Sequence, residues 1–426
     1  MAMIKKVILL LFFAAVLLSC GKEENPNKIP EGLPRFNELK AGYKAILTST
    51  EQGWKASYQP SGNAGSFNIL LKFQDNGTVT ILSDMNNFST STQNVYYDVK
   101  GATYPELVFE TFCIWHQLYE VADGDFQFRI LSINENTVEL GNVYSSSKNP
   151  EITFTKATPA DFQQMSKIQA VDRLLYDFYT GGDEYFRVMR FDEFDVTGLI
   201  DFDFDRHQVY LNYIDAAGNP SSSLVNYSYD ENGIIFEENL NIAGKTISRF
   251  DISQTVDTSM NLTGSPLNNG IIYATDLPDF EFKGAIDKFN QYSFLYVGEY
   301  SPSLDTLYEQ IQTAGAFVAA QIYHNYPISQ TQNYDALTFV IVEETGDYDF
   351  YGFYINQYLR LGEDRLRFQW SGGRDQNVSN ELFEILKSYV LFFFDQRGFK
   401  IIPKNNHFIF VSYANPKNYI VVFPVS

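Results

Sequence analysis

The chain has 426 residues, of which 45% are hydrophobic, 16% aromatic and only 19% charged. Intrinsic disorder over most of the length is excluded, because a disordered chain has few aromatic residues and a high charge density. The balance of 31 basic and 52 acidic residues also argues against a nucleic-acid partner, since phosphate binding requires clustered Lys and Arg.

The N-terminus has the pattern of an export signal. Two lysines precede an unbroken apolar run over positions 7–18, which matches a signal peptide and is too short to cross about 30 Å of hydrocarbon. Leu-Leu-Ser-Cys at 17–20 follows and resembles a bacterial lipobox, in which the cysteine is lipidated. We predict a signal peptide over residues 1–19 and a lipid on Cys20. The alternative is an ordinary secretory signal with an incidental cysteine.

The next segment is predicted to be a lipidated tether over residues 20–33. It has almost no apolar content and two prolines, as linkers do. Cleavage removes two lysines and leaves 29 basic against 52 acidic residues, a net charge of −23. Anionic lipid repels such a body, so the lipid must provide the anchor. We expect an outer-membrane protein, attached to the membrane through its N-terminal lipid and exposed at the cell surface.

The first 125 residues after the tether predict one helix followed by strands. Apolar residues recur at helical spacing over Arg35–Thr50. The turn Asp75-Asn76-Gly77 lies between two apolar runs and predicts a hairpin, because Asn and Gly tolerate positive φ. Further strands are predicted at 95–99, 106–112, 126–133, 137–140 and 152–155. Short strands joined by short turns indicate an antiparallel meander or an up-and-down barrel.

Proline marks the start of two later helices. Thr158 and Pro159 open a helix over Phe162–Tyr179, with a capping box completed by Asp161. Ser301-Pro302 opens another over Leu304–Tyr323, and a fourth is expected over Asn380–Gln396. We predict an α+β, mostly β fold of antiparallel meander sheets or barrel-like units, each preceded by a helix. The units would span 34–158, 159–301 and 302–426; the alternative is that the proline spacing is coincidental.

Local catalytic motifs are missing from the sequence. It contains no G-x-S-x-G, H-E-x-x-H, P-loop, G-x-G-x-x-G or C-x-x-C pattern. The four histidines are dispersed without ligand spacing, and we expect partly exposed structural or surface roles for them. Cys113 lies in an apolar, strand-like context and is expected to pack in the core. No catalytic residue, metal or cofactor is assigned.

An acidic segment is the best candidate for chemistry. Asp201, Asp203 and Asp205 alternate with two phenylalanines, so on a strand the carboxylates would share one face. Successive carboxylates would lie about 6.6 Å apart, too far for one ion without further ligands. A calcium site and a solvated strand face are the two interpretations, and we predict the solvated, metal-free face.

The three tryptophans are candidate ligand-binding residues. Trp54, Trp115 and Trp370 could each offer a flat ring to the C–H face of a sugar, with core or rim packing as the alternative.

Several segments together resemble a Bacteroidota lipoprotein family that is carried as a domain of unknown function. They are the lipobox, the opening Arg35…Leu47…Gly53-Trp54…Tyr58-Gln59-Pro60, and the later segments 73–79 and 104–111. The resemblance covers mainly residues 35–115. It implies an outer-membrane location beside nutrient-uptake systems of the starch-utilisation type, and it transfers no catalytic residue.

Two classes of function follow. The first is a surface lipoprotein that binds a glycan or a peptide, or docks on an outer-membrane uptake complex. The second is a carboxylate-dependent hydrolase, which leaves little local signature in a sequence. Scarce histidines and missing motifs favour the first.

Overall fold

A computed structural model describes residues 36–60, 64–89, 94–101, 104–144, 152–215, 217–256, 259–313, 316–329, 332–342, 346–404 and 406–425. The predicted signal peptide, the tether and Cys20 lie outside them. No helix within these ranges is long and apolar enough to span a bilayer. Their strands form three closed, eight-stranded antiparallel barrels, which confirms the predicted α+β, mostly β fold.

Barrel 1 follows helix α1 (Phe36–Thr48). The Trp54 indole donates to the Leu47 carbonyl at 2.8 Å and ties this helix to the first strand. In the predicted hairpin, Gly77 has φ +84° and the Asn76 side chain accepts the Thr78 N–H. The strands are β1 (Trp54–Tyr58), β2 (Phe67–Phe73), β3 (Thr78–Ser83), β4 (Val95–Lys100), β5 (Glu106–Phe109), β6 (Gln127–Ile133), β7 (Thr137–Asn142) and β8 (Ile152–Lys156), with α2 (Ile114–Ala122) between β5 and β6.

Barrel 2 follows helix α3 (Pro159–Thr180), whose predicted capping box between Thr158 and Asp161 is present. Strand β9 closes the barrel by pairing with both its second and its last strand. The strands are β9 (Phe186–Phe191), β10 (Val196–Asp203), β11 (Gln208–Ile214), β12 (Pro220–Tyr229), β13 (Gly233–Ile242), β14 (Lys245–Val256), β15 (Ser259–Gly264) and β16 (Leu267–Thr275).

Barrel 3 follows a short helix, α4 (Ala285–Phe289). Its first strand, β17 (Phe294–Tyr300), precedes Pro302 and pairs with the last strand of the chain. The other elements are α5 (Asp305–Gln312), β18 (Ala316–Ser329), β19 (Gln332–Val342), β20 (Tyr348–Arg360), β21 (Arg365–Arg374), α6 (Asn380–Phe393), β22 (Phe399–Lys404), β23 (His407–Ser412) and β24 (Tyr419–Pro424).

Two secondary-structure predictions were wrong in part. The helix predicted over Leu304–Tyr323 ends at Gln312, and β18 takes over from Ala316 because it pairs with β19 along most of its length. The strand predicted over 106–112 ends at Phe109, and α2 follows. That helix buries Ile114, Trp115 and Leu118 in the core of barrel 1, and Ala122 in its last turn is also buried.

Neighbouring barrels are joined by polar contacts. Between barrels 1 and 2, the Gly65 N–H donates to the Arg206 carbonyl at 2.8 Å. A Cβ at position 65 would lie 1.9 Å from the Tyr227 carbonyl oxygen, so only glycine fits there. The linker into barrel 3 is held by Asp364, which accepts the Phe282 N–H at 3.0 Å and pairs with buried Lys400 at 2.9 Å.

Candidate ligand-binding cleft

A cleft of about 730 Å³ opens between barrels 2 and 3. One wall is the β11–β12 hairpin, the opposite wall is the segment 283–291 that contains α4, and Pro403 at the end of β22 completes the floor. Its volume is in the range of small-molecule sites, roughly 300–1,000 Å³. We call it the interbarrel cleft. Its polar lining comes from Tyr210, Asn212, Ser221, Ser222, Lys283, Asp287, Lys288 and Gln291.

The local sequence explains why the barrel 2 wall is open and polar. Strand β12 begins Pro-Ser-Ser-Ser, and its short hydroxyl side chains alternate between exposed and half-buried positions. The preceding turn is closed by Asp215, whose carboxylate accepts the Asn219 N–H at 2.7 Å. Gly218 in this turn has φ +79°, and a Cβ there would lie 2.2 Å from the Lys283 ammonium nitrogen. The turn and the opposite wall therefore approach closely at one end of the cleft.

The floor of the cleft is fixed by hydrogen bonding between the two barrels. The Asn212 side chain is buried, and its amide donates to the Pro403 carbonyl. On the opposite wall, the exposed Asp287 carboxylate pairs with Arg360 at 3.1 Å. The exposed Lys283 and Lys288 bring two ammonium donors to the same wall. The arrangement offers amide, hydroxyl and ammonium donors to a ligand that is rich in hydroxyl or carbonyl oxygens.

Asp201 belongs to a smaller pocket of about 260 Å³ between barrels 2 and 3. Its carboxylate accepts a hydrogen bond from the Tyr179 hydroxyl at 2.6 Å and lies 2.8 Å from the Lys404 ammonium. Burial, followed by the adjacent Asp201 charge, raises the pKa of Tyr179 far above its usual value, so the phenol stays protonated as a donor. Asp201 of barrel 2 therefore contacts barrel 3 through the Lys404 ammonium, while the Tyr179 phenol ties it to α3.

The three aspartates do not share one strand face as predicted. Strand β10 ends at Asp203, and Asp205 lies in the following turn. The Asp203 carboxylate accepts the N–H groups of Asp205 and Arg206, at 3.1 and 3.0 Å, and thereby caps that turn. Across the described ranges, no three side chains of His, Cys, Asp or Glu are grouped as a metal ion requires. The absence of calcium stays a prediction.

The tryptophans are placed differently from one another. Trp54 and Trp115 are fully buried in barrel 1, so the ligand-platform interpretation is wrong for both and the packing interpretation is confirmed. Trp370 is half-buried on barrel 3. Its indole donates to the Gly373 carbonyl at 2.9 Å, and its ring stacks with Phe394 at 6.0 Å. None of the three lines the interbarrel cleft.

Two other expectations have clear outcomes. Cys113 is buried, which confirms its packing role, and burial raises the pKa of its thiol to about 12. His207 is fully buried between barrels 1 and 2, so the expected partial exposure is wrong for this residue. Its ring stacks 3.9 Å from Phe67 and 5.1 Å from Tyr227. Burial lowers the pKa of His207 to about 4, so the ring is neutral at pH 7.

Sequence reasoning missed the interbarrel cleft because its walls come from distant parts of the chain. Asn212 and Pro403, which meet at the floor, are 191 positions apart. The one local signal was the run of serines that opens β12, since three short polar residues at the start of a strand indicate an open, wet wall.

Comparisons with known proteins give a family and several distant structural matches. The model of a family described as a domain of unknown function (DUF4302) matches residues 32–254. No curated protein matches the chain. A solved structure of a protein assigned as a DNA polymerase III beta subunit from Eubacterium rectale is 11% identical, with 89% of this chain and 91% of that one covered and a TM-score of 0.17. The DNA polymerase III subunit beta of Borrelia burgdorferi, in complex with a natural product, is 10% identical, with 92% and 97% covered and a TM-score of 0.17.

Proposed function

This chain belongs to the DUF4302 family, whose function is unknown, and we propose that it is a lipid-anchored surface module that binds a glycan or a peptide. The observation that carries the proposal is the interbarrel cleft. It has the volume of a ligand site, and its walls present amide, hydroxyl and ammonium groups beside one tyrosine ring. Such groups recognise hydroxyl and carbonyl oxygens, which both ligand classes supply.

A binding role fits the cleft better than hydrolysis does. The carboxylate in its lining is that of Asp287, which pairs with Arg360 at 3.1 Å. Hydrolysis by two carboxylates requires a second carboxyl group about 5–9 Å away, across the substrate. Two deeply buried carboxyl groups elsewhere, Asp84 and Asp172, are 0% and 2% exposed and lie at the junction of barrels 1 and 2, where a substrate has no access.

The anchoring part of the proposal rests on the sequence. The signal peptide, the lipobox ending at Cys20 and the polar tether suit a lipoprotein of the outer membrane that faces the cell surface. A net charge of −23 after cleavage keeps the body away from anionic lipid and leaves the lipid as the attachment. The resemblance to lipoproteins that accompany nutrient uptake suggests an outer-membrane uptake complex as a further partner.

The cleft is tested by filling it. Ser222 is an exposed residue of β12 that lines the cleft. Ser222→Trp should therefore fill the cleft with an indole ring without disturbing the hydrophobic core of barrel 2. The matched control is Ser253→Trp, on an exposed position of β14 in the same barrel that does not line the cleft. Purified mature protein is applied to glycan and peptide arrays, and each hit is titrated by calorimetry. We expect Ser222→Trp to weaken binding at least tenfold and Ser253→Trp to leave it unchanged.

Two results would contradict the proposal. Equal binding by wild type and Ser222→Trp would remove the cleft as the site. Steady release of product from a bound ligand, abolished in Asp287→Asn, would show a hydrolase instead.

Anchoring is tested by replacing Cys20 with Ala. We expect the variant to move from the membrane fraction to the soluble fraction, because the lipid provides the attachment. Protease added to intact cells then tests surface exposure of the wild type. Sedimentation of Cys20→Ala with membranes would refute the anchoring proposal and leave the cleft test unaffected.

A further inference from the structure

An aromatic strip lies on the surface of barrel 1, far in sequence from the interbarrel cleft. Its members are Phe112, His116, Tyr119, Phe126 and Tyr144. Phe112, Tyr119 and Tyr144 are 46%, 44% and 54% exposed. Single exposed aromatic residues are common on protein surfaces, but a contiguous group of them usually marks a binding surface.

The rings of this strip contact one another in sequence order. Ring centroids are 5.5 Å apart for Phe112 and His116, 4.5 Å for His116 and Phe126, and 5.9 Å for Phe126 and Tyr144. Neighbouring planes differ by only 17–27°. Tyr119 stands across the strip at 88° to Phe126, with centroids 5.3 Å apart. The rings therefore form one continuous surface.

The strip is held rigidly by the fold. His116 and Tyr119 are three residues apart on α2, so they project from the same side of this helix. The adjoining face of α2 carries Trp115 and Leu118, which are fully buried in the core of barrel 1 and fix the helix in place. Binding of a ligand would therefore cost the protein little side-chain entropy, because these rings already pack against one another.

Polar groups lie at the Tyr144 end of the strip. The Tyr144 hydroxyl donates to the Gln127 side-chain oxygen at 3.2 Å, and the Gln127 amide donates to the Glu106 carboxylate. All three side chains are at least partly accessible. Burial lowers the pKa of His116, so this ring of the strip is uncharged at neutral pH. The surface thus combines uncharged rings with an amide, a phenol and a carboxylate.

We propose that the aromatic strip of barrel 1 is a second ligand site and that it binds a neutral glycan. Aromatic rings pack against the C–H faces of pyranose rings, while the amide, phenol and carboxylate exchange hydrogen bonds with sugar hydroxyls. Uncharged rings in an acidic protein give no attraction for an anionic ligand. The polar end of the strip favours a sugar over a purely apolar protein surface. This inference does not depend on the function of the interbarrel cleft.

The test uses the mature chain in native gels cast with soluble starch, β-glucan, xylan or mannan, followed by calorimetry with any polysaccharide that retards the protein. The variant is Tyr119→Ala combined with Tyr144→Ala. Its matched control is Tyr348→Ala, which removes a 62% exposed tyrosine of barrel 3. Thermal unfolding establishes that each variant is folded. We expect the double variant to lose at least tenfold in affinity for one polysaccharide, and Tyr348→Ala to retain that binding.

The double variant Tyr119→Phe, Tyr144→Phe separates the rings from the hydroxyls. Retained retardation with reduced affinity supports the proposed division between stacking and hydrogen bonding. Absence of retardation by all four polysaccharides, or equal affinity in the double alanine variant, would overturn the proposal. A third result would also overturn the proposal. If no polysaccharide binds, and cross-linking in cells captures a protein partner with the wild type but not with the double alanine variant, the strip is a protein interface.

Discussion

At the junction of barrels 1 and 2, Asp84 and Asp172 are carboxyl groups placed where water has no access. Asp84 is fully buried, and it accepts the backbone N–H and the side-chain amide of Asn68 at 3.0 and 2.6 Å. Burial raises the pKa of Asp84 to about 8 and that of Asp172 to about 7. Both carboxyl groups consequently gain a proton, relative to the unfolded chain, between acid and neutral pH.

The sign of the effect on stability follows from linkage. Each folded-state pKa lies above the ordinary value of 3.8, so the folded state binds more protons than the unfolded state. The contribution of these groups to the free energy of unfolding is therefore fully present below about pH 4 and falls as the pH rises towards 8. Asp84→Asn keeps the size and the acceptor oxygen but removes the ionisation. Between pH 4.5 and 8.5, we expect the free energy of unfolding, measured by urea titration, to fall less in this variant than in the wild type.

Asp183→Asn serves as the control for this measurement. The Asp183 side chain is 93% exposed, and its replacement should leave the pH dependence as in the wild type. An Asp84→Asn slope equal to that of the wild type would contradict the assignment of Asp84 as a buried, protonated group.

At the scale of elements, helix α3 illustrates how a local signal fixes a boundary. The Asp161 carboxylate accepts the N–H and the hydroxyl of Thr158 at 2.7 and 2.6 Å, and Lys55 of β1 pairs with it at 2.7 Å. Asp161→Ala removes the reciprocal half of the capping box, so we expect a loss of about 1 kcal/mol in the free energy of unfolding. Chemical denaturation measures it.

Gln163→Ala is the matched change in the same helix. Gln163 is exposed within the first two turns of α3, and alanine is at least as good a helix former. We expect its free energy of unfolding to stay within about 0.5 kcal/mol of the wild type. An equal loss in both variants would show that the cap contributes nothing.

Elements with local signals were predictable, and those decided by pairing at long range were not. The hairpin at Asn76-Gly77 and the cap at Thr158 depend on residues within four positions, and both predictions are confirmed. The part of β18 up to Tyr323 was predicted to be helical, but its pairing with β19 prevails over local propensity. The α2 helix had a readable signal in the spacing of Ile114, Leu118 and Ala122, which the neighbouring apolar run concealed.

The candidate sites were less predictable than the fold, for a physical reason. The aromatic strip forms because α2 places the His116 ring between Phe112 and Phe126, which lie in the segments on either side of the helix. The cleft forms where barrels 2 and 3 meet. Both depend on tertiary packing, which no periodicity in one segment reports. Trp54 and Trp115 are the opposite case. Their residue type suggested a ligand platform, but tertiary packing buries both rings in the core.

For the whole molecule, closure of each barrel by its first and last strands sets the architecture. In barrel 3, the C-terminal strand β24 pairs with β17 on one side and β23 on the other. It also buries Ile420, Val421 and Val422, each at most 2% exposed. These three side chains contribute roughly 5–9 kcal/mol of hydrophobic stabilisation, comparable with the whole stability of a typical domain. Closure of barrel 3 therefore depends on the last strand of the chain.

Deletion of residues 419–426 should open barrel 3 while barrels 1 and 2 persist. Without β24, the edges of β17 and β23 are left unpaired, and unpaired edges promote aggregation and proteolysis. Barrels 1 and 2 have core clusters of their own, so we expect limited proteolysis to leave a fragment that contains them. Calorimetry should show the loss of part of the unfolding heat, and deletion of Ser426 alone should leave the profile intact. An unchanged unfolding profile and unchanged protease resistance after deletion of 419–426 would show that β24 is dispensable for closure.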